Sequence, residues 1–192
     1  EKLNDEQIIR RAGPRLQKAG AGTVYRRENM KKIRFGVIGC GSIANEYHLP
    51  ALQQVENAQL VWACDLIEER ARKAKEDFGF EKYTLDYHEI LNDSSIDAVC
   101  IFTKIEMHAT LCIEAASAGK HIFSQKPFAY NIEEGRSIIR AVDAAGVKLT
   151  PSFMHSYMDG PIAARKLVED GVIGKIRHIR MRNATKNPFD SA

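Results

Sequence analysis

Nine consecutive residues, Gly36-Val37-Ile38-Gly39-Cys40-Gly41-Ser42-Ile43-Ala44, constrain this chain more than any other segment. They close an apolar run, Ile33–Ile38, and open a helix-patterned one, Ile43–Val55, broken only by Pro50. The small residues fall on a G-x-G-x-x-A spacing at Gly39, Gly41 and Ala44. After a strand and before a helix each has its own reason. Gly39 permits the tight turn, Gly41 lets the backbone approach a pyrophosphate, and Ala44 lets helix and strand pack closely. The amides of Ser42 and Ile43, at the helix N-terminus, attract phosphate. A glycine-rich turn that holds no ligand is the plainer alternative.

The rest of the chain repeats this strand–helix rhythm. Strands are expected at Gln59–Cys64, Lys82–Thr84, Ala98–Thr103, His121–Ser124 and Val147–Phe153. Helices are expected at Glu68–Phe78, Tyr87–Leu91, Met107–Ala118 and Ile132–Ala145. Gly79, Gly119 and Gly146 follow three of those helices as stops, and Asn131 with Glu134 forms the cap of the last. Near-continuous apolar strands separated by helices mean a parallel sheet covered on both faces. The fold class is therefore α/β, a doubly wound parallel Rossmann sheet over residues 32–152.

Residues 153–192 are expected to be the start of a truncated α+β substrate domain. A short helix at Ile162–Glu169 precedes Lys175–Arg182, where Ile176, His178, Arg180 and Arg182 alternate with Arg177, Ile179 and Met181. That alternation predicts a strand with one buried face. Residues 1–31 form an extension. Ile8, Ile9, Ala12, Leu16 and Ala19 give a helix stripe over 3–19, with Asn4 and Gln7 as a capping box. Pro14 interrupts it, and residues 19–22 form a flexible joint. Met30 stands just before the first strand as a natural start, so the extension is expected to add little to a ligand site.

Of the 192 residues, 28 are Lys or Arg and 25 Asp or Glu. Residues 1–32 carry nine basic and four acidic side chains, so the remainder is slightly acidic. This leaves no basic excess with which to seek nucleic acid. No apolar run approaches the length of a membrane span, and residues 1–27 lack the apolar core of a secretory signal. Cys40, Cys64, Cys100 and Cys112 form no C-x-x-C pair and suit the small buried hydrophobes of a reduced, cytoplasmic protein. No pair of His, Asp or Glu has metal-ligand spacing with a third partner, so no metal is expected.

Asp65 ends the second strand, 21 residues after Ala44. An acidic residue there accepts hydrogen bonds from the adenosine ribose of NAD and repels the 2′-phosphate of NADP. Leu66 and Ile67 offer no cation to such a phosphate. Arg70 and Arg72 follow on the helix, so NADP is not excluded. A plain helix N-cap is the alternative for Asp65.

Taken together, the chain resembles the Gfo/Idh/MocA oxidoreductases, the glucose-fructose oxidoreductase and inositol dehydrogenase group. The likeness is carried by residues 36–44, His48-Leu-Pro-Ala-Leu52, Asp97-Ala-Val99, Ala115-Ala-Ser-Ala-Gly-Lys-His121, Lys126-Pro127 and Val168-Glu-Asp-Gly-Val-Ile-Gly-Lys-Ile176. It implies hydride transfer between NAD(P) and a hydroxyl carbon of a sugar, cyclitol or related polyol, and a homo-oligomer in the full-length protein. It also implies that Lys126, matching the lysine of the family's Glu-Lys-Pro motif, reaches the active site. There, partly buried, it would polarise the reacting oxygen or relay its proton. Thr103, His108 and Gln125 match positions beside the cofactor. His155 and Tyr157 match an Arg-aromatic region that faces substrate. His48 packs the first helix near the turn, its ring within reach of the cofactor.

The chain departs from the pattern at Gln125, where the motif has Glu, and at Lys104 and Glu106, where it has Pro and Asn. The family's second-domain acid/base would fall beyond Ala192. A non-catalytic dinucleotide-binding regulator on the same fold is the competing expectation, because fold does not fix function.

Overall fold

The computed structural model describes residues 31–182. The helix expected over 3–19 and its joint lie outside the described residues. The chain divides into two units between Pro151 and Ser152.

The first unit is a six-stranded sheet. Its strands are β1 (Ile33–Ile38), β2 (Ala58–Cys64), β3 (Lys82–Thr84), β4 (Ala98–Ile101), β5 (His121–Ser124) and β6 (Leu149–Pro151). They lie in the order β3-β2-β1-β4-β5-β6, and every pairing is parallel. The order reverses between β1 and β4, and that switch point is where open α/β sheets bind ligands. The connecting helices are α1 (Leu49–Gln53), α2 (Glu68–Phe78), α3 (Tyr87–Asn92), α4 (His108–Ser117) and α5 (Ile132–Ala145).

The apolar strands serve two cores at once. Val37 and Cys100 point to a cluster with Leu49, Ala63, Ala74 and Phe80. Ile38, Val99 and Ile101 point to the opposite cluster with Ile90, Leu111, Cys112 and Ile138. Alternation along each strand feeds both faces, so no polar face is left to show the period of two. All four cysteines are free and buried in this packing. Burial pushes the Cys40, Cys64 and Cys100 thiols up to about 12 and that of Cys112 to about 11.

Two local departures from the expected pattern have clear causes. The first helix is wound as a π turn over Ala44–His48 before α1 begins. Pro50 lacks an N–H and its ring crowds the carbonyl four residues back. Leu49 N–H instead reaches Ala44 O, five residues away, which widens the turn. Strand β6 spans only Leu149–Pro151 rather than Val147–Phe153. It is an edge strand ending at a proline, which has no donor for a further rung. The cap of α5 is as expected: Asn131 Oδ1 accepts from Glu134 N–H at 2.9 Å, and Glu134 returns a carboxylate oxygen to Tyr130 N–H.

The second unit holds a 3-10 turn, Met154–Tyr157, and helix α6, Asp159–Glu169. The helix begins three residues before the expected Ile162, with Pro161 in its first turn, where a missing N–H costs little. The strand expected at Lys175–Arg182 does not form. A strand needs a neighbour to take its N–H and C=O groups, and the described residues of this unit supply none. Ile179 and Met181 are correspondingly exposed.

The end of the sheet remote from the strands' carboxyl termini is held by polar ties to backbone. Buried Lys120 donates to Asp93 O at 2.7 Å and Ile96 O at 3.0 Å. Asp97 accepts from Arg34 N–H at 2.9 Å, joining β4 to β1. Asp93 accepts from Ser95 N–H and Trp62 Nε1–H, and those bonds hold its carboxyl down at about 2. A carboxyl depressed in the folded state stabilises the fold above its unfolded value near 3.8, and that contribution is lost as pH falls through about 2. Asp93→Asn is therefore expected to lower the urea midpoint at pH 6. The gap from the parent should narrow steadily between pH 4 and pH 2 in unfolding curves taken across that range.

Candidate dinucleotide site

The carboxyl ends of β1, β4 and β5 are extended by one more rung each. Gly39 N–H donates to Cys64 O at 2.7 Å, Phe102 N–H to Ile38 O at 2.8 Å, and Gln125 N–H to Ile101 O at 2.9 Å. These bonds set Gly39, Phe102 and Gln125 side by side at the switch point.

Gly39 adopts φ +99°, and a β-carbon there would lie 2.7 Å from Phe102 O. Its identity is demanded by the protein itself. Gly41 differs: a β-carbon there would meet nothing within 4 Å. Nothing in the fold excludes a side chain at 41, so the space above it is free for an incoming group. Beyond it, exposed Ser42 and Ile43 present the helix N-terminus, whose first amides have no intrahelical acceptors. Ala44 is buried against the sheet.

Two side chains brace this turn. Asp65 Oδ2 accepts from Cys40 N–H at 2.8 Å, and its Oδ1 accepts from Ile67 N–H at 2.9 Å. The N-cap of α2 is Ile67, so Asp65 is not a plain helix cap. Each oxygen has taken one hydrogen bond and keeps a lone pair for another donor. Asn45 closes the turn from the other side, its Nδ2 donating to Cys40 O at 2.7 Å and Gly41 O at 3.0 Å. Asn45 was not among the expected site residues. Its position in the first turn after the glycines was the signal available.

On the other side of the switch point, Thr103 is half-buried, with its hydroxyl on Lys104 O. His108 is fully buried, and its two ring nitrogens face Pro127 O at 2.8 Å and Thr103 O at 3.2 Å. Each ring edge lies against a backbone carbonyl, one from the loop after β4 and one from the turn after β5, and each tautomer donates to one of them. Lys104 and Glu106 flank the 3-10 turn Ile105–Met107, both exposed.

Gln125 is buried and Lys126 follows it, joined to Pro127 by a cis peptide bond. Lys126 is exposed, not partly buried as expected. The turn carries it away from the core at the strand's end. His48 lies half-buried over these strand ends, stacked on Phe102 at 4.2 Å and edge-on to Phe123 at 5.7 Å. Burial pulls its pKa below the ordinary value. His155 and Tyr157 belong to the second unit, both exposed on the turn Met154–Tyr157. Among the described residues no group of three or more His, Cys, Asp or Glu is placed to hold a metal ion.

Residues 33–153 match the model of the oxidoreductase family with an NAD-binding Rossmann fold, Gfo/Idh/MocA. The chain belongs to this family. The family's fold binds NAD, and the residues around the switch point are compatible with a dinucleotide. The space above Gly41 is open, the first helix amides lack intrahelical acceptors, and each Asp65 carboxylate oxygen keeps a lone pair. The chain is 33% identical over 160 residues to the myo-inositol 2-dehydrogenase of Thermotoga maritima, covering 82% of this chain and 48% of that protein. Among solved structures it is similar to scyllo-inositol dehydrogenase from Lactobacillus casei with bound NAD(H) and scyllo-inositol. The TM-score there is 0.71 and the identity 28%, over 76% of this chain and 43% of that one. It is also similar to a 3-ketoreductase from Actinomadura kijaniata in complex with NADP and TDP-benzene, with TM-score 0.70 and 28% identity over 77% of this chain and 45% of that one. The chain spans about half the length of the curated relatives it matches.

The two glycines make opposite predictions. Gly39→Ala should lower the stability of the ligand-free protein by about 1–3 kcal/mol, because the backbone there is strained for any side chain and the β-carbon meets a carbonyl. Gly41→Ala should leave thermal unfolding of the ligand-free protein unchanged and weaken NADH binding at least about tenfold, a loss of roughly 1.4 kcal/mol. Calorimetry and NADH fluorescence titration on both variants check the pair.

Proposed function

We propose that the protein transfers hydride between NAD(H) and a hydroxyl carbon of a cyclitol, sugar or related polyol. The observation that carries this reading is the open approach over Gly41, in a turn braced by Asp65, in a chain similar to inositol dehydrogenases. Bound there, the nicotinamide would accept or give the hydride.

In this reading, Gly41 and the amides after it hold the pyrophosphate, with Ser42 and Ile43 at the helix N-terminus. Asp65 accepts from the adenosine ribose hydroxyls. Its negative charge, with Leu66 and Ile67 beside it, disfavours a 2′-phosphate, so NAD is the preferred cofactor. Thr103 and Gln125 line the loops at the nicotinamide end, and His108 fixes the spacing between those loops. Lys126, at the exposed end of β5, polarises the reacting oxygen or relays its proton. His155 and Tyr157 contact the substrate. A homo-oligomeric, cytoplasmic full-length enzyme belongs to the same proposal. Four buried unpaired thiols support the compartment, and no helix among the described residues is long and apolar enough to cross a membrane.

Gln125, Lys104 and Glu106 favour a second reading, a dinucleotide-binding regulator without turnover. One set of measurements separates the two. NADH should bind residues 1–192 at least about fivefold tighter than NADPH, since added like charge at close range is worth roughly 1 kcal/mol or more. Asp65→Asn, which keeps an oxygen for Cys40 N–H, should narrow that preference. Residues 1–192 should turn over myo- or scyllo-inositol little or not at all, because Lys126 supplies only part of the catalytic arrangement. The protein at the length of its relatives should reduce NAD with such a polyol. There, Lys126→Met should cut kcat about 100-fold or more with NADH affinity retained. Absence of turnover at full length with every polyol would favour the regulator. Preference for NADPH would remove the role given to Asp65.

A further inference from the structure

Gln125 occupies the position where the family motif has a glutamate, and its side chain spans two elements far apart in sequence. Its Oε1 accepts from Lys126 N–H at 2.7 Å, and its Nε2 lies 2.8 Å from His48 Nε2. The amide cannot be turned the other way, because an NH2 group facing the Lys126 N–H would set donor against donor. With the amide nitrogen thus directed at the imidazole, His48 Nε2 has to be the acceptor. A ring whose Nε2 accepts is neutral and carries its proton on Nδ1. The half-buried setting between Phe102 and Phe123 suits that uncharged ring. A glutamate at 125 would impose the reverse. It would still take the Lys126 N–H, but its second oxygen would require a proton on His48 Nε2.

We propose that Gln125 is a positioning residue. It fixes the peptide of Lys126 from one end of its amide and holds His48 as the neutral Nδ1–H tautomer from the other. It thereby ties the first helix, which carries the phosphate-facing turn, to the strand end that carries Lys126. With glutamine at 125, this small network contains no carboxylate. The assignment of a role to Lys126 rests on the function proposed above; the hydrogen-bond polarity does not.

The test uses the 192-residue chain, labelled with 15N-histidine, without cofactor. Long-range 1H–15N correlation spectra should show His48 Nε2 unprotonated and Nδ1 protonated, with His48→Phe identifying the signal. Gln125→Glu should move the proton to Nε2. A parent protein with His48 Nε2 protonated overturns the proposal without reference to any variant, as does an unchanged ring in Gln125→Glu. Amide hydrogen exchange supplies the second readout. Gln125→Leu should speed exchange at the Lys126 amide at least about tenfold, while the Gln125 amide, bonded to Ile101 O, stays protected. A general loosening would accelerate both equally and would refute a specific hold on Lys126. Because no measurement requires cofactor, failure to bind NADH would sink the proposed function and leave this result standing.

Discussion

Between Gly39 and the carbonyl oxygen of Phe102 there is no room for a β-carbon. The chain leaving β1 therefore passes directly over the end of β4, in a left-handed conformation that glycine adopts at little cost. That pass places Cys40 N–H against Asp65 at the end of β2 and sends the following helix back over the strand ends. His48 can then stack on Phe102 and reach Gln125 at the end of β5. Three strand ends and one helix are thus brought together by a single steric allowance.

The site built on that allowance separates folding from binding. Gly39, Ala44, Asn45 and the Cys40–Asp65 bond are satisfied within the protein. Gly41 and the helix amides at Ser42 and Ile43 are left facing outward. The loops after β4 and β5 likewise meet within the protein, since buried His108 lies between a carbonyl of each. A site whose supports are already hydrogen-bonded needs little reorganisation when a ligand arrives, which lowers the entropic cost of binding.

The second unit shows the converse. Helix α6 forms because helical hydrogen bonds are local to the segment. Residues 175–182 have the alternation of a strand but no strand, since a ladder must come from elsewhere in the chain or from another chain. The apolar side chains of α6 and of Ile176, Ile179 and Met181 are exposed in consequence. Periodicity records which face a segment would bury, and does not supply the surface that buries it.

By itself the sequence determined the succession of strands and helices of the first unit, the parallel sheet and the glycine turn. These depend on spacing and on short-range stereochemistry, and both are written in neighbouring residues. The tertiary structure decided what depends on strand order. It showed that Asp65 braces Cys40 rather than capping a helix, that His108 is buried between two loops, and that Lys126 is exposed. It also showed that His48 meets Gln125 across 77 positions of sequence. No local pattern encodes that meeting, because it exists only once β1, β4 and β5 lie side by side and the chain over Gly39 has turned back across their ends.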